Sequence, residues 1–286
     1  MFLLGRVPPA LRGVVRRLAA YDERSDLPVR RRQAPAATCT LVVGIADPLR
    51  VDGRRVGSFA AGLTDTAAVT EFAGHQAGVQ ADLTPLGAWR LLGTPLPGLV
   101  SLPELGGAFA GLDERLADRP TWPGRLALVA DVLTDLLAAA PAPLDPEVAR
   151  AWSLLDASAG RVAVGALAAE VGWSRRHLSR RFTAQVGLPP TVAGRVLRFR
   201  RAADLLVPPP GARLHRQRIA DVAAGCGFAD HAHLDREFAA LAGCSPREYV
   251  AQWAAVAVDP ADVTVAPGPG SPTSKTDRPR SATITA

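Results

Sequence analysis

The sequence predicts an α+β fold: a strand-rich N-terminal domain with helices following it, then an all-α C-terminal domain with two helix–turn–helix units joined by a long helix. Three observations predict it. β-branched and alternating segments gather between residues 38 and 83, the pattern of half-buried strands. After Pro85 the apolar residues recur at the helical period instead. Near the C-terminus one pattern is written twice: Leu167-Ala-Ala-Glu-Val-Gly-Trp-Ser-Arg-Arg-His-Leu-Ser-Arg-Arg-Phe182 returns as Val222-Ala-Ala-Gly-Cys-Gly-Phe-Ala-Asp-His-Ala-His-Leu-Asp-Arg-Glu-Phe238. Up to the aromatic the offset is 55 residues, pairing Ala168 with Ala223 and Gly172 with Gly227. Beyond it the offset is 56, pairing His177 with His233, Leu178 with Leu234, Arg180 with Arg236 and Phe182 with Phe238. The second copy therefore carries one extra residue at its turn.

Residues 1–34 read as an arm and a short helix, Pro9 to Tyr21, closed by polar turns. Thr38 to Ile45 is compact and β-branched, a strand. Asp47-Pro48 and Asp52-Gly53 are turn signals. Val56 to Leu63, Ala67 to Phe72 and Gly78 to Leu83 read as further strands. Pro85 opens a short helix, Leu86 to Leu92, that Gly93 ends. Helical patterns follow over Pro103 to Ala117, around the Gly106-Gly107 pair, and over Trp122 to Ala140. These elements make residues 1–140 one domain. Pro141-Ala-Pro-Leu-Asp-Pro146 is a stiff linker and a helix from Glu147 to Ala157 follows it, so residues 141–160 join the halves.

Residues 161–256 hold the repeat. Between its copies Val192, Val196, Phe199, Ala203 and Leu206 mark one helix, Thr191 to Leu206, which Pro208-Pro-Pro-Gly211 stops. Ser245-Pro246-Arg247-Glu248 is a capping box that opens a last helix, with Tyr249 and Trp253 expected to pin it. Residues 257–286 hold Pro, Gly, Ser and Thr with few apolar anchors, and read as a disordered tail.

The 286 residues are enough for more than one core, and 48% hydrophobic with 21% charged is ordinary for a soluble protein. The net charge of +6 is unevenly placed. Residues 150–256 hold 15 Arg against 8 Asp and Glu, a net of +7, and the rest of the chain is close to neutral. An anionic partner explains an excess that coincides with the repeat. The 3 cysteines, Cys39, Cys226 and Cys244, imply no disulfide framework, so a reducing cytoplasm is expected. Leu126 to Ala140, the most apolar helical stretch, is too short to span a bilayer, and no membrane partner is expected.

Each copy of the repeat has the parts of a DNA reader. In the first, Val164 to Val171 supplies a scaffold helix, Gly172 permits a sharp turn and Ser174 caps the next helix. There Leu178 and Phe182 point inward, while Arg176 and Arg180 lie four apart on another face. An Arg pair one turn apart at the start of a helix in the major groove reaches base edges, and Ser179 flanks it. Arg175 and Arg181 are expected to meet phosphates. In the second, Ile219 to Cys226 is the scaffold helix, Gly227-Phe228 turns and Asp230 caps. Leu234 and Phe238 form the core pair; His231, Asp235 and Arg236 are candidates for the DNA side. Thr191 to Leu206 as one helix is about 24 Å long. Successive major-groove faces are roughly 34 Å apart. With the widths of the flanking units added, one chain can cover both.

Residues 161–253 resemble the DNA-binding domain of AraC/XylS-type transcriptional regulators. Gly172-Trp-Ser-Arg-Arg-His-Leu-Ser-Arg-Arg-Phe182, Arg195-Val-Leu-Arg-Phe-Arg-Arg-Ala202, Cys226-Gly-Phe228, His233-Leu-Asp-Arg-Glu-Phe238 and Gly243-Cys-Ser-Pro246 carry the resemblance. It implies seven helices in two helix–turn–helix units, with base-reading positions at Arg176 and Arg180 and at Ala232 and Arg236. Ala232 stands where a longer polar residue is often found, and acidic Asp235 adjoins Arg236, so the first unit is expected to carry most of the specificity. The resemblance implies a non-enzymatic transcription regulator, with residues 1–140 in the place of a sensing or regulatory domain. Its expected partners are double-stranded DNA, a small-molecule effector at the N-terminal domain, RNA polymerase and a second copy of the chain.

The N-terminal segment Gly78 to Ala88 with Leu91-Leu-Gly93 resembles N-terminal domains of actinobacterial members. Val43, Phe59, Phe72, Val79 and Trp89 are candidates to line an apolar effector site, although core packing explains each of them better. His75 reads as a lone surface histidine. Other chemistries find little support. Cys226, His231, His233 and Cys244 do not have a common zinc spacing, so no metal or cofactor is expected. No nucleophile elbow or phosphate-cradling loop occurs, and no catalytic residues are assigned. The alternatives are a DNA-tethered enzyme, a basic architectural protein with no sequence preference, and a reactive-thiol sensor at Cys39, whose apolar surroundings favour a buried structural residue.

Overall fold

A computed structural model of the chain describes residues 1–96, 98–139, 142–207, 219–256 and 263–265. The strands are β1 (Phe2–Gly5), β2 (Val15–Gln33), β3 (Cys39–Gly44), β4 (Leu49–Val51), β5 (Arg54–Val56), β6 (Phe59–Ala61), β7 (Ala68–Leu83), β8 (Leu99–Ser101) and β9 (Val263–Val265). They form one sheet in the order β8-β6-β3-β7-β2-β1-β9, with the β4–β5 hairpin attached through β4 to β7. The long antiparallel pair β2 and β7 is its spine, paired from Val15↔Leu83 to Gln33↔Ala68 with register shifts between Val15 and Arg17 and between Ser25 and Val29.

Several expectations change here. The helix Pro9 to Tyr21 is a single 3-10 turn, Pro9–Leu11, and the chain from Val15 is strand. Its residues find backbone partners on both sides, Tyr21 opposite Phe2 and Gly78 at once, and that ladder outweighs a local helix. Ala67 to Phe72 and Gly78 to Leu83 are one strand, β7, which passes through Gly74 at φ +92. The reading over Val56 to Leu63 is divided, since Val56 closes β5 and Phe59–Ala61 is β6. Val263–Val265, inside the expected disordered tail, is a strand parallel to β1 with Phe2 opposite Val263. A β-branched Val-Thr-Val there satisfies an edge that would otherwise be open. The remainder of that tail and the Pro208-Pro-Pro-Gly211 stop lie outside the described residues.

The helices are α1 (Pro85–Leu92), α2 (Leu102–Leu105), α3 (Leu112–Ala117), α4 (Trp122–Ala139), α5 (Pro146–Ala157), α6 (Val164–Glu170), α7 (Arg175–Val186), α8 (Pro190–Leu206), α9 (Ile219–Gly225), α10 (His231–Ala242) and α11 (Pro246–Val256). The single helical pattern expected over Pro103 to Ala117 is broken into α2, a 3-10 turn and α3. Gly106, Gly107 and Gly111 all take positive φ there, which interrupts the helix. Thr84 accepts from the Gly87 amide (2.9 Å) to start α1, and Gly93 at φ +70 ends it.

Alternation along the strands divides the sheet's two faces. Leu18, Ala20, Leu41, Val43, Val79, Ala81 and Leu83 enter the main core, where α4 packs on β1, β2 and β7. Val42, Val56 and Phe59 form a smaller cluster with Tyr21. The main core does not stop at residue 140. It continues through Val148, Ala151, Trp152 and Leu155 of α5 into Leu167, Leu178, Phe182 and Val186. The joining segment is pinned as well: the Trp89 indole N–H donates to Pro143 O (2.9 Å), and Arg16 pairs with Asp156 (2.6 Å). A second cluster, around Phe199, Phe228, Leu234, Phe238 and Tyr249, serves the last helices.

Candidate nucleic-acid interface

The two copies of the repeat share their turn, cap and core contacts. In unit one Gly172 turns at φ +69, and the Trp173 amide closes back on Ala168 O (3.0 Å). Ser174 Oγ accepts from the His177 amide (3.2 Å) and starts α7. In unit two Gly227 turns at φ +79, the Phe228 amide closes on Ala223 O (3.0 Å), and Asp230 accepts from the His233 amide (2.6 Å) to start α10. Each turn aromatic meets the helix histidine edge-on: Trp173 with His177 at 4.5 Å, Phe228 with His233 at 5.4 Å. Leu178 and Phe182, and likewise Leu234 and Phe238, are fully buried. With one face of each helix fixed in a core, the opposite face must meet solvent or a partner.

On α7 that face is basic. Arg176, Ser179 and Arg180 line one open concavity with Thr183 and Ala184. These positions follow the i, i+3, i+4, i+7, i+8 rows of a single helix stripe. Arg176 and Arg180 are exposed, and an Arg180 nitrogen stands 3.4 Å from His177 Nδ1. Thr183 and Ala184 were missed from the sequence; continuing the four-residue spacing beyond Arg180 would have found them. Thr183 Oγ1 donates back to Ser179 O (2.7 Å), so its methyl and the Ala184 methyl give the far end of the stripe an apolar character.

The flanking arginines behave differently. The Arg175 guanidinium folds back over α6, where a Cβ added to Gly165 would lie 2.7 Å from its Nη2. Arg181 makes a two-pronged pair with Asp145, Nε to Oδ2 and Nη2 to Oδ1, each 2.6 Å. These hydrogen bonds from Arg181 hold the Asp145 carboxyl below its ordinary range, against the opposing effect of desolvation. Arg181 thereby ties α7 to the joining segment.

On α10, His231, Ala232 and Arg236 are exposed, and Asp235 is half-buried 3.4 Å from His231 Nε2. Glu237 on the same helix accepts from Arg195 of α8 (2.5 Å). Where α7 carries four Arg and no acid, α10 sets one Arg beside Asp235 and Glu237. The last helix opens as its sequence demands: Ser245 and Glu248 cap each other, with Glu248 Oε2 accepting from the Ser245 amide (2.8 Å) and Ser245 Oγ from the Glu248 amide (3.3 Å). Tyr249 is buried against Phe238 (5.5 Å); the Trp253 side chain lies outside the described residues.

The five residues considered for an apolar effector are not brought together. Val43 and Val79 belong to the main core and Phe59 to the smaller cluster on the other face. Phe72 lies under Arg31 (5.6 Å), and Trp89 faces the joining segment. His75 is not solitary, since its Nε2 stands 3.0 Å from Asp22 Oδ1. Burial pushes the Cys39 thiol up to about 12, so at neutral pH it is the protonated, unreactive form. Among the described residues no group of three or more His, Cys, Asp or Glu is placed to hold a metal ion, and no helix is long and apolar enough to cross a membrane.

A family model described as a helix-turn-helix domain matches residues 167–252. A transcriptional regulator from Chromobacterium violaceum, described as containing an AraC-type DNA-binding domain, is 30% identical; the match covers 37% of this chain and 91% of that one, with a TM-score of 0.33. The DNA-binding domain of the global transcriptional factor AdpA, solved in complex with a target DNA, is 28% identical over 40% of this chain and 96% of its own, TM-score 0.34. ToxT from Vibrio cholerae aligns over 82% of this chain and 97% of its own at 10% identity, TM-score 0.48. No curated protein matches the chain. The helix-turn-helix match falls on the two units built above, and together with the 30% identity across nearly all of the Chromobacterium violaceum protein it settles the family: the chain belongs to the transcription regulators with an AraC-type DNA-binding domain.

Proposed function

We propose that the chain regulates transcription by reading a specific double-stranded DNA site, chiefly through α7, with residues 1–140 as the regulatory domain, 141–160 as the joint and 161–256 as the reader. The observation that carries this is the α7 stripe. Arg176, Ser179 and Arg180 share one open surface of a helix whose other side is locked in the core. An arginine fork fits the O6 and N7 acceptors of guanine, and the groove potential attracts a helix free of carboxylates. Ala232 offers no hydrogen bond and Asp235 repels phosphate, so α10 contributes less through Arg236 and His231. Arg181, held by Asp145, orients α7 more than it grips phosphate, while Arg175, exposed beside α6, is placed to meet phosphate. A small effector bound to the N-terminal domain, contact with RNA polymerase and pairing of two chains belong to the same proposal.

The test is selection of bound duplexes from a random pool by the full chain, at a fixed salt concentration. A motif spanning two helical turns, with its stronger half protected by α7, is the expected result. Equal affinity for every duplex, with only salt dependence remaining, would overturn the reading.

A further inference from the structure

The two units are attached to the N-terminal half in different ways. Unit one shares its apolar core, with Leu178 and Phe182 in the same cluster as Leu83 of β7 and Leu133 of α4. Unit two has a cluster of its own, and among the described residues Ala34 is what the N-terminal half packs against it.

The other links from the N-terminal half to unit two are polar. Arg32, near the end of β2, donates from one guanidinium nitrogen to Ala242 O (3.2 Å) and to Gly243 O. These carbonyls lie at the C-terminal end of α10, where a helix leaves acceptors unfilled and its dipole is negative. The fit is close: a Cβ on Gly243, which sits at φ +66, would stand 3.2 Å from the same nitrogen. Arg195 of α8 forms the second link, between Glu237 of α10 (2.5 Å) and Asp65 of the β6–β7 connection (3.8 Å). Arg32 itself is held in place by the ladder, opposite Val69 of β7.

From this arrangement we infer that Arg32 is a positioning residue for DNA reading: by capping the far end of α10 it fixes where the second recognition helix stands relative to the first. The inference rests on the reading of α7 and α10 as the DNA-facing helices. Arg32 grips the C-terminal end of α10, the opposite end from Ala232 and about two turns beyond Arg236, so it acts on spacing and not on base contacts. A unit held in place loses less freedom on binding than one tethered only by its connection, and it tolerates a misplaced half-site less well.

The test uses the full chain and the duplex it selects, alongside duplexes with one or two base pairs inserted between the halves. Each inserted pair shifts the second half by about 3.4 Å and turns it by roughly 35°. Wild type is expected to lose about tenfold or more in affinity on insertion. Arg32→Ala should bind the selected duplex about three- to tenfold more weakly, yet lose clearly less on insertion. Arg32→Lys, which keeps a donor, should fall between the two. Asp65→Asn should move the same way by a smaller factor, which keeps the inference testable should Arg32→Ala fold poorly. An insertion penalty in Arg32→Ala equal to that of wild type overturns the inference, whether affinity is unchanged or lowered uniformly. A wild type without any preferred duplex overturns the DNA reading itself.

Discussion

Arg180 and Arg181 are neighbours with different duties. Arg180 is exposed on the α7 stripe, and Arg181 is half-buried and chelates Asp145. Replacing Arg180 with Ala should cost about 1–3 kcal/mol in binding to the selected duplex and relax the preference at one base pair, measured by competition with single-pair variants. Arg181→Ala should leave the base preference unchanged and lower the melting temperature instead. The same pair gives a pH signature. The Asp145 carboxyl is held below its unfolded value, so its stabilising effect is fully present above the ordinary carboxylate range. It is lost as pH falls through the depressed value. The melting-temperature difference between wild type and Asp145→Asn should therefore shrink towards zero on acidification and stay constant from pH 6 upward. Because the Arg181 side chain is 42% exposed, added salt should narrow the same difference.

Among the elements, those defined by local chemistry were legible in the sequence and those defined by distant partners were not. Ser174 and Asp230 are caps, Gly172 and Gly227 turns, and Ser245 with Glu248 a capping box, as short-range signals require. β2 was hidden because Leu11, Val14, Val15 and Leu18 repeat every three or four residues, the spacing of a helix face. What makes the segment a strand is pairing with residues 68–83, which no local window contains. Arg32 was illegible for the same reason: its partners lie 210 and 211 residues away. Close approach between elements was equally hidden. Gly160, at φ +77, passes so near α8 that a Cβ would stand 2.0 Å from Gly194 O. Gly160→Ala must therefore displace backbone as well as strain φ, and should cost roughly 2–5 kcal/mol in urea unfolding. Gly172→Ala, at φ +69 with open space around its Cβ, should cost only about 1–2 kcal/mol.

The chain divides physically in a place that its composition does not mark. Proline at 141, 143 and 146 invites a boundary there, yet the core runs through it. The break between apolar clusters falls inside α8, where Leu197 belongs to the first cluster and Val196 and Phe199 to the second. Phe182 and Phe238 are twins by sequence and by burial, so truncating either should cost about 3–5 kcal/mol locally. Their reach should differ. Phe182 touches Trp152 (6.1 Å) within a cluster that includes the sheet, so Phe182→Ala should raise hydrogen exchange in β3 and β7 together with α6 and α7. Phe238 meets Phe199 (4.8 Å) and Tyr249 (5.5 Å) in the smaller cluster, so Phe238→Ala should raise exchange in α9 to α11 and leave the sheet protected. Protection lost across the whole chain in both variants would mean a single cooperative unit.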